Sequence, residues 1–215
     1  MLKLYGYWRS SAAYRVRIAL GLKGLSYENV SVHLVRDGGE QRKPEYKRVN
    51  PQSRVPALEH DGRVLTQSLA IIEYLDETAP EPALLPPDAA GRARVRALAQ
   101  LIACDIHPLN NLRVLQYLGG KLGASEDARN DWYRYWITDG FEALEALLAG
   151  SPETGRYCHG DTPGLADVLL VPQVYNARRY QCDLAPYPTI ARIDDACNAM
   201  PAFERARPER QPDAE

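Results

Sequence analysis

Along residues 1–80, short apolar runs alternate with helical stripes. Residues 2–5 read as a strand. Residues 11–23 read as a helix, with Val16, Ala19 and Leu20 on one stripe and Gly24 as its stop. Residues 27–32 predict a second strand. Residues 33–50 are polar and carry Gly38-Gly39 and Pro44, which predicts a loop with at most one irregular helix. Residues 57–60 and 63–66 flank Asp61-Gly62, a strong hairpin signal. Ser68 is the expected cap of a helix carrying Leu69, Ile72 and Leu75. The order β-α-β-α-β-β-α predicts a small α/β domain with a mixed sheet over residues 1–80.

Four prolines in residues 79–90, APEPALLPPDAA, mark a linker, set at residues 81–90. Beyond it the pattern is helical: residues 91–118, 125–149, 165–180 and 189–198. Residues 91–215 are therefore expected to form an all-α domain. In its first helix Val95, Ile102 and Leu109 recur every seven residues, with Leu98 and Leu112 at the companion positions. The companion position between those two is Asp105, a charge where the stripe asks for an apolar residue. His107 and Asn111, four apart, share another face, and Pro108 can kink the helix between them.

Composition narrows the function classes. The chain has 215 residues, 45% hydrophobic and 25% charged, with a net charge of -2. No bulk field draws it to nucleic acid or an anionic membrane. Met1-Leu2-Lys3 runs straight into a strand pattern, so no signal peptide is expected, and no apolar run approaches a membrane span. Cys104, Cys158, Cys182 and Cys197 are scattered without a CxxC. That spacing predicts free thiols in a reducing cytoplasm and no zinc site. Cys104, Asp105 and His107 do not share one helix face, so no metal centre is expected there.

The candidate chemistry begins at WRSSAAYRVRIAL, residues 8–20. A helix start leaves unpaired N–H groups and the positive end of the helix dipole, which favour an anion such as a thiolate. Ser10 and Ser11 add hydroxyls. Positions 12 and 13 are alanine, so a thiolate held here comes from a ligand; the alternative is that one serine simply caps the helix. In QSRVPAL a cis bond before Pro56 would turn the Val55 backbone outward, where it could pair with a peptide-like ligand; a trans bond is the alternative. Gln67-Ser68 before LAIIEYL suits a carboxylate, or again a plain cap. Arg9, Arg113, Arg178 and Arg179 are candidates for bidentate carboxylate binding, with a solvated surface as the alternative for each.

These motifs, with CDIHPLNN, GDTPGLAD, LVPQV, DLAPYPTI and RQPDA in order over nearly the whole chain, resemble the zeta-class glutathione S-transferases. That class includes maleylacetoacetate and maleylpyruvate isomerases. The resemblance implies a thioredoxin-like N-terminal domain, an all-α domain carrying the substrate site and part of a dimer interface, a homodimer, and glutathione as cofactor. It implies Ser10 as the thiol-activating residue, with Ser11 and Ala12 beside it and Gln41 near the glutathione backbone. Val55, ahead of a cis Pro56, would pair with the cysteinyl unit, and Gln67 and Ser68 would take the γ-glutamyl carboxylate. Asp105 and His107 are implied near the dimer interface, across which they could act, with Asn111 and Arg113 approaching the cleft. Arg9, Arg113 and Arg179 are implied for the substrate carboxylates, Arg179 also in catalysis. Two departures stand out: Ala12 replaces a usual cysteine, and Gly164 replaces a usual Ser/Thr in a capping box with Asp167.

The implied reaction is isomerisation of a small dicarboxylate cis-enone: maleylacetoacetate in tyrosine breakdown, or maleylpyruvate in gentisate breakdown. A general transferase acting on α-halo acids, and a non-catalytic glutathione-binding protein on the same fold, are the alternatives.

Overall fold

Strand β1, Leu2–Gly6, buries Leu2, Leu4 and Gly6 and leaves Lys3 and Tyr5 half-buried, the alternation a strand requires. It pairs in parallel with β2, Tyr27–Ser31, and antiparallel with β3, Ala57–His60; β4, Arg63–Thr66, completes the order β2-β1-β3-β4. Leu4 lies opposite Asn29 and Leu58. Helix α1, Ser11–Leu22, packs beside α3, Ser68–Thr78, while α2, Pro44–Val49, lies in the long polar loop. The core here is Leu4, Val16, Ile18, Leu20, Leu58, Ile71 and Leu75. Helix α1 ends in a Schellman motif: Leu25 N–H donates to Leu20 C=O at 2.9 Å and Gly24 N–H to Gly21 C=O at 3.3 Å. Gly24 sits at φ 64, the left-handed conformation this motif needs.

This computed structural model describes residues 1–215 as two compact units, Met1–Ala83 with Ala199–Glu215, and Leu84–Asn198. The mixed four-stranded sheet followed by a helical region is the architecture the pattern predicts. The boundaries differ from 1–80, 81–90 and 91–215. Leu84 and Leu85, expected in a linker, are buried in the second unit. Residues 199–215 join the first unit because α9, Pro201–Ala206, packs on α1, with Phe203 fully buried and the Arg17 guanidinium donating to Ala206 C=O at 3.0 Å.

In the second unit α4, Ala89–Gln100, starts at Asp88, whose Oδ1 accepts the Gly91 N–H at 2.8 Å. The expected continuous helix over 91–118 does not form. A π-helical segment, Leu101–Ile106, follows α4 and closes with His107 N–H donating to Ile102 C=O at 2.9 Å. A turn then leads to α5, Leu112–Gly120. Ile106 takes the buried place and Asp105 is exposed, so the wide turn relieves the misplaced charge. Helices α6, Glu126–Ala149, α7, Leu165–Arg179, and α8, Pro188–Asn198, enclose Ile137, Phe141, Leu144, Leu169 and Ile190.

At the start of α7, Asp167 Oδ2 accepts the Gly164 N–H at 2.8 Å and Oδ1 the Cys158 N–H at 2.9 Å. Only this half of a capping box exists, since glycine has no side chain to return the bond. Gly164 is set by space: a Cβ there would lie 2.8 Å from Leu84 C=O, which accepts the Leu165 N–H at 2.8 Å. Burial pushes the Asp167 carboxyl up, against the two N–H groups that favour its charge. The four cysteines are free, and no helix is long and apolar enough to cross a membrane.

Candidate active site

The tight turn after β1 delivers the start of α1. Ser10 N–H donates to Tyr7 C=O at 2.9 Å. Ser10 is the N-cap, and its Oγ accepts the Ala13 N–H at 3.2 Å. The cap therefore belongs to Ser10 and not to Ser11, which is the first helical residue and is buried. An acceptor bond leaves the Ser10 proton uncommitted within the chain, so capping and donation to a ligand are compatible. Ala12 follows, half-buried.

Helix α3 starts differently from the expectation. Gln67, at φ 69, holds the N-cap position without a side-chain bond to the helix, and Ser68 is the first helical residue. Ser68 is buried, and its Oγ accepts from Arg15 Nη1 at 3.3 Å. Arg15, only 2% exposed, lies one turn along α1 from Ser11. A buried guanidinium thus links the second turn of α1 to the first turn of α3. The signal for it in the sequence is the pair Arg15 and Arg17 set among apolar residues of α1, both of them buried. Two positive helix ends with a buried cation beside them are an arrangement that favours an anion.

The Val55–Pro56 bond is cis, with Pro56 buried. The loop before it is pinned at Arg54 C=O, which accepts from Tyr46 Oη at 2.6 Å and Asn50 Nδ2 at 2.8 Å. Burial pushes the Tyr46 hydroxyl up, so it stays a donor. Neither the N–H nor the C=O of Val55 is used by the fold's own hydrogen bonds. The exposed Gln67 side chain donates from Nε2 to Gln52 Oε1 at 3.0 Å. Gln41 is buried in its loop, its Nε2 donating to Leu34 C=O at 3.2 Å and its Oε1 unpaired. Arg9, one residue before Ser10, is exposed, with Cζ 4.7 Å from the Trp8 ring centroid and Nη2 donating to the Tyr7 hydroxyl at 3.4 Å.

Asp105, His107, Asn111, Arg113 and Arg179 belong to the second unit. His107 and Asn111 do not share a helix face, because the chain turns between them and Asn111 caps α5, its Oδ1 accepting the Arg113 N–H at 3.2 Å. Within the turn, the buried side-chain amide of Asn110 faces His107 C=O at 3.2 Å and Ile106 C=O at 3.3 Å, which assigns its donor nitrogen to that side. The side chain of Arg113 is exposed. Of the arginine pair, Arg178 is committed to the buried carboxylate of Asp194. Arg179 is exposed, its Cζ 4.9 Å from the Tyr180 centroid, and Tyr180 stacks on Tyr133 at 3.5 Å.

A thioredoxin-like sheet with a helical second unit and paired helix starts defines a glutathione transferase. The model of the glutathione S-transferase N-terminal domain matches residues 1–77. The Vibrio cholerae protein named "Probable maleylacetoacetate isomerase" is 56% identical over 99% of this chain and 98% of its own. A solved holo maleyl pyruvate isomerase, described as a bacterial zeta-class glutathione S-transferase, is also 56% identical, with a TM-score of 0.96 over 99% of this chain and 100% of its own. The maleylacetoacetate isomerase of Methylobacterium extorquens, solved with bound malonate and GSH, is 45% identical with a TM-score of 0.95, over 99% of each chain. The chain belongs to the zeta-class glutathione transferases, the family of these isomerases.

Proposed function

We propose that this protein is a glutathione-dependent cis–trans isomerase of maleyl dicarboxylates, acting on maleylacetoacetate. The observation that carries the reading is Ser10: a helix-start hydroxyl whose oxygen is fixed by Ala13 and whose proton is uncommitted. Glutathione, when bound, supplies a thiol that adds reversibly to a conjugated double bond, so that the bond can rotate before it is restored. The residues present suit that group. Ser10 and the N–H groups of α1 stabilise a thiolate. The unpaired Val55 backbone matches the cysteinyl amide, and Ser68 with the α3 start suits the γ-glutamyl carboxylate, Gln67 beside them. Gln41 holds its own loop through Leu34 C=O and is read as lying near the glutathione backbone.

Arg9, Arg113 and Arg179 are read as the anchors for the substrate carboxylates, where guanidinium groups also offset charge that develops on the enone oxygen. Asp105, His107 and Asn111 keep their proposed part at the glutathione side. A cytoplasmic homodimer is the proposed assembly: α5 has no buried residue and leaves Tyr117 58% exposed, a face a second copy would cover. Sedimentation at several concentrations tests it, and a monomer throughout would end that part of the reading.

The test of function is turnover of maleylacetone with and without glutathione. Conversion to the trans isomer only when glutathione is present is expected; glutathione-independent turnover would end the proposal. Maleylpyruvate is the second reading, since relatives named for each of the two substrates are equally similar at 56% identity. Side-by-side kcat/KM for the two substrates decides between them. Arg179→Ala is expected to raise KM for either dicarboxylate about tenfold, the scale of one charged hydrogen-bonded contact. It should leave KM for a neutral chlorinated aromatic nearly unchanged. Equal effects on both would remove Arg179 from the carboxylate site.

A further inference from the structure

The end of the chain returns to the turn that delivers Ser10. Gln211, buried, donates from Nε2 to Arg205 C=O at 3.0 Å and Arg207 C=O at 2.8 Å, which fixes the direction of the tail after α9. Asp213 then places one oxygen, Oδ2, 3.1 Å from the Trp8 N–H and 2.9 Å from the Ser31 hydroxyl, accepting from both. On the other side of Trp8, its C=O accepts from Arg17 Nη2 at 2.9 Å, and the same guanidinium donates to Ala206 C=O at 3.0 Å and Tyr7 C=O at 3.5 Å. Trp8 is thus held at its N–H by the tail carboxylate and at its C=O by a buried guanidinium. Tyr7 C=O, inside the same clamp, is the acceptor of the Ser10 N–H.

The clamp is also wired to the loop that carries Gln41. Glu215 pairs with Arg36, and its Oε2 lies 3.3 Å from His33 Nε2. His33 Nδ1 accepts the Val35 N–H at 3.3 Å and the Arg36 N–H at 2.8 Å, so the ring proton is on Nε2 and points at Glu215. His33 N–H in turn donates to Glu40 Oε2 at 2.7 Å, next to Gln41.

We infer that Asp213 is a positioning residue for the thiol site: its carboxylate oxygen fixes the Trp8 peptide and, through the Tyr7–Ser10 turn, the place of the Ser10 hydroxyl relative to the sulfur. The inference rests on the proposed role of Ser10 toward glutathione. Its physical basis is that only Trp8 and Arg9 separate Tyr7 from Ser10, so a shift of the Trp8 peptide is passed on to the Ser10 hydroxyl. A displacement of about 1 Å at a reacting group can cost about 10²-fold in rate, and a partial loss of aim costs a share of that.

Three substitutions separate geometry from charge. Asp213→Asn keeps an acceptor oxygen in place and removes the charge. Asp213→Glu keeps the charge and shifts the oxygen by one methylene. Asp213→Ala removes both. The readouts are kcat, KM for the maleyl substrate, and the thiol pKa of bound glutathione followed by thiolate absorbance in the ultraviolet. Asp213→Ala and Asp213→Glu are expected to lower kcat about tenfold and raise the bound thiol pKa by about one unit, a tenfold smaller ionisation constant for the thiol. KM should change less than about twofold, and Asp213→Asn should behave as the unsubstituted protein. Because Asp213→Glu alters only a half-exposed side chain, it stands as the measure if Asp213→Ala does not fold. A thiol pKa and kcat in Asp213→Glu within about twofold of the unsubstituted protein would overturn the inference, as would Asp213→Asn falling with Asp213→Ala. An unsubstituted protein that does not lower the thiol pKa of glutathione at all would instead overturn the reading of Ser10.

Discussion

Ser10→Ala is expected to lower kcat/KM for the glutathione-dependent isomerisation about 10²-fold, the scale of losing one aimed donor to a developing or resident anion. Two roles meet in this side chain, and they can be parted. As a cap, Ser10 accepts the Ala13 N–H; alanine there costs about 1 kcal/mol of stability, glycine only a few tenths. As a donor, the hydroxyl is lost equally in Ser10→Ala and Ser10→Gly. The two variants should therefore be alike in activity and differ in melting temperature, with alanine the less stable. If Ser10→Gly kept full activity, the loss in Ser10→Ala would come from the helix start and not from the thiol. Ser11→Ala and Ala12→Cys are expected to change turnover far less, since Ser11 lies inside the helix and the sulfur belongs to the ligand. A reversed order among Ser10, Ser11 and Ala12 would reassign the role.

The largest stability effect is expected at Lys23. Its ammonium is fully buried at the end of α1, 2.5 Å from Asp76 Oδ1, and also donates to the carbonyls of Ala79 at 2.8 Å and Pro82 at 2.6 Å. One side chain closes the end of α1 onto the end of α3 and the chain beyond it. Lys23→Met fills the volume but takes the ammonium away from the Asp76 carboxylate and from the carbonyls of Ala79 and Pro82. Removing one partner of a buried pair costs about 3–5 kcal/mol, because the remaining charge stays desolvated. At the lower figure the melting temperature of a chain this size falls by about 6–12 °C. The double variant Lys23→Met with Asp76→Asn should recover part of that loss. Urea denaturation of the three proteins measures it; a Lys23→Met midpoint equal to the unsubstituted one would show that water replaces the ammonium in the fold.

The pattern of apolar positions was enough for the sheet and most helices, since period-2 and period-3.6 burial are local properties of the chain. The hairpin at Asp61-Gly62 and the stop at Gly24 were legible for the same reason: both need left-handed backbone that glycine supplies, and both have it. The helix over 91–118 was misread where the periodicity was broken by Asp105. The heptad pattern marks the broken place and Pro108 marks a kink just beyond it, but neither spacing carries the wide turn that forms at Leu101–Ile106. The π segment changes the side on which Asp105 emerges, and only the packing around Ile106 fixes that. In the site, Ser10 and Ser68 were found from cap chemistry, but their order in the helices was not, because either of two adjacent residues can cap until the incoming turn is known.

By itself the sequence determined the element types, the mixed α/β unit followed by helices, the free cysteines, and the cluster of residue types suited to a thiol ligand. Those follow from composition and from spacings of a few residues. The tertiary structure decided what joins residues far apart in the chain: Arg15 on Ser68, Lys23 on Asp76, and the last residues back with the first unit through Arg17 and Asp213. Each of these is a buried or half-buried polar group that must find a partner. The partner lies 53 to 205 residues away, a distance over which no local period carries information.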